Sequence, residues 1–453
     1  MKLFINLLAI LSTISCSSHA ELNRNQHTFI LDNINIIDVK NKTVLREKSI
    51  LVSEGKIKKI DSSHPQQLSA DISVIDGANG YIIPGLIDMH VHIYEKAAFT
   101  LALSHGVTHV RIMNGVPDQL TWRDQIANGE LIGSNATVSS PIISAYDDAT
   151  LHHTVHTAEQ AKSAVKQYQS QGYDLIKAYG NLNEEALRAL VDAGKFYNMP
   201  IAKHGPHGSG DMAVSALTGL QSFEHIEDIY QGPLNYQFAP EQLIDIANAI
   251  KATEVPVTPT LNIYDQLTQL SAQKQQFLDT IPTGYTSSII ALEARQNQVK
   301  RWLTASDNMA KHNKKTLNFL KQITKAFHDA GITLLVGSDS GVLLSPHGLA
   351  THNEMQLMFE SGLPAFDVLA AATINPAKAL NLDHQIGQII ENYNADFILS
   401  KNNPLEDLAV LESPAAVVKN GVYYSQETLV SMRADAIDSR SFWQELFTLY
   451  EAM

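Results

Sequence analysis

The chain has 453 residues, of which 44% are hydrophobic and 18% are charged. This balance predicts a compact globular protein, and the length suits one large α/β barrel with an appended domain. The formal net charge of −14 opposes binding to a nucleic acid or to an anionic membrane surface, and the sequence has no basic patch that would overcome it. We therefore expect a small-molecule substrate and no nucleic-acid partner, with homo-oligomer formation left open.

The N-terminus has the pattern of a secretion signal. Lys2 precedes an apolar run from Leu3 to Ile14, and Ser18-His19-Ala20 is a small-x-small cleavage site. We predict a Sec signal peptide over residues 1–20 and a periplasmic or secreted mature protein. The only cysteine, Cys16, allows an alternative in which the protein is a lipoprotein attached through that residue.

The ends of the chain predict β-structure. Short alternating segments between Phe29 and Ile83 are punctuated by turn residues, and a strand-like pattern returns after Gln385. We predict that residues 21–84 and 385–430 form a small β-sandwich, followed by a C-terminal helix over 431–453. The predicted C-terminal strands are Ile386–Ile390, Asp396–Leu399, Leu408–Leu411 and Ala415–Tyr424.

The region between these ends alternates apolar strands with amphipathic helices. This pattern is typical of βαβ units and predicts a (β/α)8 TIM barrel over residues 85–384. Residues 264–312 exceed what a βα unit needs, so we predict a helical insertion there, beside the mouth of the barrel. The eight predicted strands are Leu86–Val91, Val107–Ile112, Thr137–Ile143, Leu175–Ala178, Ile201–His204, Ser222–His225, Val255–Leu261 and Thr333–Ser338. The predicted helices are Glu159–Ser170, Glu184–Tyr197, Pro240–Lys251, Leu317–Ala330, His352–Glu360 and Ala365–Leu380.

A His-x-His motif ends the first predicted barrel strand. The side chains of His90 and His92 point to the same face because they are two residues apart, so both can reach one metal ion. In a chain with 18 histidines the motif alone is weak. Its position strengthens it, because polar residues at the carboxyl ends of barrel strands line active sites.

Four more polar residues end predicted strands: Lys177, His204, His225 and Asp339. Each has an ordinary structural interpretation: a capping lysine, a histidine at the barrel rim or a helix N-cap. Because chance seldom places six such residues at strand ends, together they predict one metal site at the mouth.

Three sequence segments then resemble the amidohydrolase superfamily. Residues 84–92 (PGLIDMHVH) resemble its opening strand, residues 337–341 (GSDSG) its closing strand, and residues 375–380 (NPAKAL) its return to the small β-domain. The resemblance extends from about Phe29 to Tyr424 and implies the barrel fold and a metal-dependent hydrolase.

The resemblance also implies a ligand set. His90, His92 and Asp339 would bind one divalent metal ion, and His204 and His225 a second. Lys177 would bridge them as a carbamate formed with CO2, since an ammonium group has no lone pair to offer. Zinc is the expected metal. A hydroxide shared by the metals would attack the substrate, and Asp339 would be the catalytic residue that passes its proton to the leaving nitrogen.

The resemblance also implies a substrate class. Mononuclear deaminases of this superfamily lack the bridging lysine and usually carry a glutamate three residues after the histidine of the fifth strand. The presence of Lys177 and the lack of an acidic residue in Gly205-Pro206-His207 therefore favour hydrolysis of an amide bond over deamination. The chain resembles the prolidase-like and imidazolonepropionase-related branch, which implies a dipeptide or N-acyl amino acid substrate; a cyclic amide or lactone, or a non-catalytic periplasmic metal-binding protein, are the alternatives. Predicted substrate contacts, each with surface exposure or core packing as its ordinary interpretation, are His152, His153, Tyr230 and Tyr264.

Overall fold

A computed structural model describes residues 28–63, 72–149, 151–207, 212–282 and 284–452. The predicted signal peptide and Cys16 lie outside these residues. No helix in these ranges is long and apolar enough to cross a membrane. The strands are β1 Phe29–Asp38, β2 Thr43–Ser53, β3 Lys56–Ser62, β4 Ser73–Pro84, β5 Leu86–Val91, β6 Val107–Ile112, β7 Asn135–Val138, β8 Ile142–Ser144, β9 His152–Thr154, β10 Ile176–Ala178, β11 Ile201–His204, β12 Ser222–Glu224, β13 Val257–Thr258, β14 Phe397–Ser400, β15 Ala416–Lys419 and β16 Val422–Ser425.

Helices separate most of the strands from β5 onwards. They are α1 Ala97–Ser104, α2 Pro117–Asn128, α3 Ala158–Ser170, α4 Glu184–Tyr197, α5 Glu227–Gln231, α6 Leu243–Lys251, α7 Leu261–Gln273, α8 Gln275–Leu278, α9 Ser288–Gln296, α10 Gln298–Leu303, α11 Asp307–Asp329, α12 Leu349–Glu360, α13 Ala365–Ala372, α14 Ile374–Ala379, α15 Gln426–Asp438 and α16 Phe442–Ala452. Short 3-10 helices cover Val214–Ala216, Pro240–Gln242 and Leu408–Leu411.

The two ends of the chain form one seven-stranded sheet in the order β16-β15-β14-β4-β1-β2-β3. The prediction was a sandwich, and among the described residues these strands pair as this one hydrogen-bonded sheet. The reason is that β14 pairs antiparallel with β4, Phe397 opposite Pro84, so the C-terminal strands extend the sheet at its edge. Strand β1 is buried on both faces: Ile34 and Ile36 pack into the sheet's own core, and Ile37 packs with the parallel strands.

The middle of the chain forms parallel sheets, as predicted for an α/β fold. Strands β5, β6 and β7 form one sheet, and β13-β12-β11-β10-β8-β9 form another. Isolated parallel bridges join them, Ser139 to Leu175, Val257 to Leu334 and Val91 to Ser340. The segment that contains Leu334 and Ser340 therefore lies between β13 and β5, where the eighth strand was predicted.

Several predicted elements are interrupted. The predicted strand Thr137–Ile143 divides into β7 and β8, with Pro141 between them, because proline cannot donate to a strand ladder. The predicted helix Ala365–Leu380 breaks at Thr373, near Pro376. The predicted strand Ile386–Ile390 is irregular, with Gly387 in a left-handed conformation at φ 85°.

Helices fill the region of the predicted insertion. Helices α7 to α10 lie there, and α11 begins inside it and continues beyond it, so α11 is longer than the predicted helix Leu317–Ala330. Ile263, Leu270 and Val299 form a separate apolar core for these helices. That core includes Leu343 and Leu344, which come shortly after Ser340 in the chain. The insertion therefore packs against the mouth of the parallel strands.

Candidate functional site

The six predicted site residues lie at carboxyl ends of parallel strands. His90 is in β5 and His92 follows it, Lys177 is in β10, and His204 is the last residue of β11. His225 directly follows β12. Asp339 lies in the segment that follows α11 in the chain and lies in space between β13 and β5. Because parallel strands end at the same edge, the topology brings these side chains to one face of the fold.

Asp339 lies among three histidines. Its Oδ1 atom is 2.9 Å from His92 Nε2 and 3.6 Å from His90 Nε2. Its Oδ2 atom is 4.0 Å from His225 Nδ1. Ligand atoms of His90, His225 and Asp339 all lie within 4.8 Å of one another, a spacing that one metal ion could occupy.

His204 and Lys177 extend the cluster. The rings of His204 and His225 are 4.4 Å apart, and those of His225 and His90 are 4.6 Å apart. The Lys177 Nζ atom is buried and has no hydrogen-bond partner among the described residues. Burial lowers the pKa of this amine to about 8, although the charges of Glu224 and Asp339 oppose the shift. The structure thus brings all six predicted residues to one site.

Burial and charge set the protonation of the cluster. Burial, with Lys177 nearby, lowers the pKa of His90 to about 3, and burial also lowers the pKa values of His204 and His225. Burial alone would raise the pKa of Asp339, but the neighbouring histidines hold it well below its usual range. Neutral imidazoles and an ionised carboxylate are the forms that bind metal ions.

Two site residues have a strained backbone. Asp339 has φ 53° and His225 has φ 69°, in the left-handed region that side chains other than glycine seldom adopt. Backbone hydrogen bonds hold both: Asp339 N donates to His90 O at 2.7 Å, and His225 N donates to Thr258 O at 2.9 Å. A strained geometry maintained by its surroundings is common at functional sites.

Sequence reasoning missed the buried polar residues behind the site. Asp88 Oδ1 accepts hydrogen bonds from the backbone N–H groups of His90 and Ser338, and so ties together the two segments that carry His90 and Asp339. Glu224 Oε2 is 2.8 Å from His90 Nδ1 and Arg111 donates to Glu224. The signal that could have found them is a charged residue inside an otherwise apolar strand, as with Asp88 in β5 and Arg111 in β6, where every position is buried.

An acidic residue also lies beside His204. Asp228 Oδ2 is 3.6 Å from His204 Nε2 and 3.5 Å from His207 Nδ1. On another side, the ring of Tyr179 lies 3.9 Å from that of His204. Neither Asp228 nor Tyr179 was predicted as a site residue, because neither directly follows a histidine motif.

The four predicted substrate contacts are placed differently from one another. His152 stacks edge-on against Tyr179 at 5.4 Å, which connects it to the cluster. His153 instead contacts the hydroxyl of Tyr168, at 2.7 Å. Tyr230 is buried in an aromatic cluster with Tyr236, Phe238 and Phe319. Tyr264 packs between the main core and the core of the insertion.

The residues present fit a divalent metal ion. Lys177 Nζ and His204 Nδ1 are buried polar atoms without hydrogen-bond partners within the described part of the chain. Such atoms are costly unless a ligand satisfies them. Imidazole nitrogens and carboxylate oxygens form the donor set that zinc and similar metals prefer.

Solved structures share this fold. The bottromycin amidohydrolase structure superimposes with a TM-score of 0.75 at 19% identity and covers 91% of this chain and 90% of its own. A Xaa-Pro dipeptidase with methionine bound in its active site has a TM-score of 0.66 at 21% identity and covers 88% of this chain and 100% of its own. At these identities the likeness is one of fold.

Sequence comparison supplies the family. The 5-methylthioadenosine/S-adenosylhomocysteine deaminase of Carboxydothermus hydrogenoformans is 22% identical over 419 residues, 84% of this chain and 86% of that protein. The model of the Amidohydrolase family matches residues 81–423, a range that includes all six site residues. Because this match covers well over half of the sequence, the chain belongs to the amidohydrolase family.

Proposed function

We propose that this protein is a dinuclear metal-dependent hydrolase that cleaves the amide C–N bond of a small substrate such as a dipeptide or an N-acyl amino acid. The observation that carries the proposal is the buried, unpartnered Nζ atom of Lys177, beside the histidine cluster and Asp339. Family membership and the fold shared with a Xaa-Pro dipeptidase support it.

In this proposal His90, His92 and Asp339 would hold one metal ion, and His204 and His225 would hold the other. Lys177 would bridge them as a carbamate, because its lowered pKa leaves a share of the amine neutral and able to add CO2. When bound, the metals, expected to be zinc, would polarise the scissile carbonyl and lower the pKa of a water molecule toward 7.

Asp339 moves the proton. Its pKa is held well below the usual range by the neighbouring histidines, so the carboxylate is ionised and can accept a proton from the attacking water. It then delivers that proton to the leaving nitrogen. His92, 2.9 Å from Asp339 Oδ1, keeps the carboxylate oriented toward the centre of the cluster.

We also propose that the parallel strands close into an eight-stranded barrel. Leu335 N donates to Val257 O, and Met89 N donates to Val336 O. The segment that follows α11 is therefore hydrogen-bonded to β13 on one side and to β5 on the other. The proposed domains are a barrel over 85–384 with a helical insertion at 264–312, a small β-sandwich from 21–84 and 385–430, and a C-terminal helix over 431–453. A metal centre in such a barrel lies among the loops at the strand ends.

The protein is proposed to act in the periplasm or outside the cell, after removal of residues 1–20. Lipid attachment at Cys16 is the alternative. Mass spectrometry of the mature N-terminus separates the two, because cleavage after Ala20 removes Cys16, and lipidation retains it.

The test is an activity screen with the zinc-reconstituted protein on dipeptides, N-acyl amino acids, cyclic amides and lactones. Release of an amine from the first two classes supports the proposal, and turnover of lactones alone would reassign the substrate. Bound metal with no turnover on any class would favour a metal-binding protein without catalysis.

Deamination is a second candidate function. The observation that favours it is the match to a deaminase over most of both chains. The residues after His204 are Gly205, Pro206 and His207, so no acid follows within three positions, although Asp228 lies close in space. Ammonia release from 5-methylthioadenosine would establish this function in place of amide hydrolysis.

A further inference from the structure

Arg111 has a fully buried guanidinium group below the candidate metal site. It lies in β6, where every residue is buried. Its Nε atom donates to Met89 O at 2.7 Å, and Nη1 donates to Gln221 Oε1 at 2.9 Å and to Ser222 Oγ at 2.8 Å. Burying a cation is unfavourable unless its donors and its charge are satisfied, so this network has to include an anion.

That anion is Glu224. Arg111 Nη2 donates to Glu224 Oε1 at 2.6 Å, and Ser222 Oγ donates to the same oxygen. The carboxyl group is fully buried and pairs directly with the equally buried guanidinium group of Arg111, so it carries the negative charge that this network requires. The second oxygen of this ionised carboxylate, Oε2, is the one that faces His90.

The contact with Glu224 determines which nitrogen of His90 carries its proton. His90 Nδ1 lies 2.8 Å from Glu224 Oε2, and an ionised carboxylate can only accept, so Nδ1 must donate. The lone pair is then on Nε2, the atom 3.6 Å from Asp339 Oδ1 at the centre of the cluster. Carboxylates behind metal-binding histidines fix ring orientation and tautomer in this way.

We propose that Arg111 and Glu224 form a positioning pair that holds His90 in the orientation and tautomer needed to bind a divalent metal ion. Arg111 acts through Glu224, and Glu224 acts through His90; neither contacts the substrate. This inference rests on the metal site of the proposed function but not on any substrate. A role in folding stability alone is the competing explanation.

The first experiment measures metal affinity in Glu224→Gln. Glutamine keeps the size of the side chain but removes the charge that makes His90 Nδ1 the donor. We expect zinc affinity, measured by competition with a chromophoric chelator, to fall about 10- to 100-fold for one of two sites. Equal affinity in wild type and variant would overturn the proposal.

A matched control separates positioning from stability. Asp396, directly before β14, is a buried acid 3.9 Å from the buried amine of Lys419 in β15. Asp396→Asn makes the same chemical change to a buried pair remote from the six residues, so it should lower the melting temperature and leave zinc affinity within about twofold. If both variants lost affinity in proportion to melting temperature, the role would be structural.

A second measurement uses the metal-free protein and does not depend on the Glu224→Gln variant. Histidine 15N NMR of the metal-free protein reports which ring nitrogen of His90 is protonated, with the resonance assigned by its loss in His90→Gln. Protonation at Nδ1 supports the pair, and protonation at Nε2 overturns it. Failure of wild type to bind any metal would instead refute the proposed function, with the tautomer result unaffected.

Discussion

The two halves of the candidate site are organised differently. His90, His92 and Asp339 contact one another directly, and the backbone of this half is held by Asp88 and by the strand bonds between β5 and the segment of Asp339. In the other half, Lys177 Nζ and His204 Nδ1 are buried without hydrogen-bond partners among the described residues. The first half is preorganised by the protein, whereas the second depends on a ligand to satisfy it.

The largest expected effect comes from the half that is preorganised. Asp339→Asn removes a carboxylate that would both bind metal and move the proton, so kcat/KM should fall by about 10⁴-fold, the upper end for general acid-base catalysis. Steady-state kinetics with the best substrate of the screen measures it. A loss under tenfold would assign the proton transfer to another group.

Lys177→Ala tests the other half. The variant should lose one metal equivalent together with at least about 100-fold in activity, because the bridge between the metals is gone. Elemental analysis gives the stoichiometry, and added short carboxylic acids should restore part of the activity. Unchanged stoichiometry would remove the bridging role of Lys177.

Acid stability tests whether neutral buried histidines are confined to the site. Burial lowers the pKa of His105 and His109 to about 3 and that of His352 to about 4. Between these values and 6.5 the unfolded chain binds more protons than the folded chain, so their contribution to stability is complete above pH 6.5 and is lost as the pH falls toward 3.

Denaturant unfolding of the metal-free protein at several pH values measures this loss. Between pH 3 and 6.5, His109→Gln should reduce the slope of the free energy of unfolding against pH by about 1.4 kcal/mol per pH unit. Parallel curves for wild type and variant would show that His109 does not contribute, and that acid sensitivity arises from other groups.

The smallest effect separates two adjacent histidines. His152 reaches the cluster through Tyr179, whereas His153 points to Tyr168. His152→Ala should raise KM about tenfold if it donates a hydrogen bond to a charged substrate group, and His153→Ala should change KM by no more than about twofold. A change in KM of less than about twofold in both variants would mean that neither histidine contacts the substrate.

The sequence predicted those features that follow from strand periodicity. His90, Lys177 and His225 each end an apolar strand, and parallel topology alone brings strand ends together. Helix α4 was predicted with its observed bounds, because its apolar spacing and the Asn183 cap mark it clearly.

Other features depend on partners far away in the chain. Arg111 and Glu224 are separated by 113 positions, so nothing near Arg111 indicates which anion compensates it. The single seven-stranded sheet was missed for a similar reason, since only the pairing of Phe397 with Pro84 decides whether the C-terminal strands extend the sheet or face it.

Anomalous diffraction from zinc-loaded crystals tests the central claim most directly. The account predicts two zinc peaks about 3.5–4 Å apart, with His90, His92 and Asp339 at one, His204 and His225 at the other, and Lys177 extended by a carbamate between them. One zinc peak at His90, His92 and Asp339, with the Lys177 amine unmodified and turned away, would contradict it.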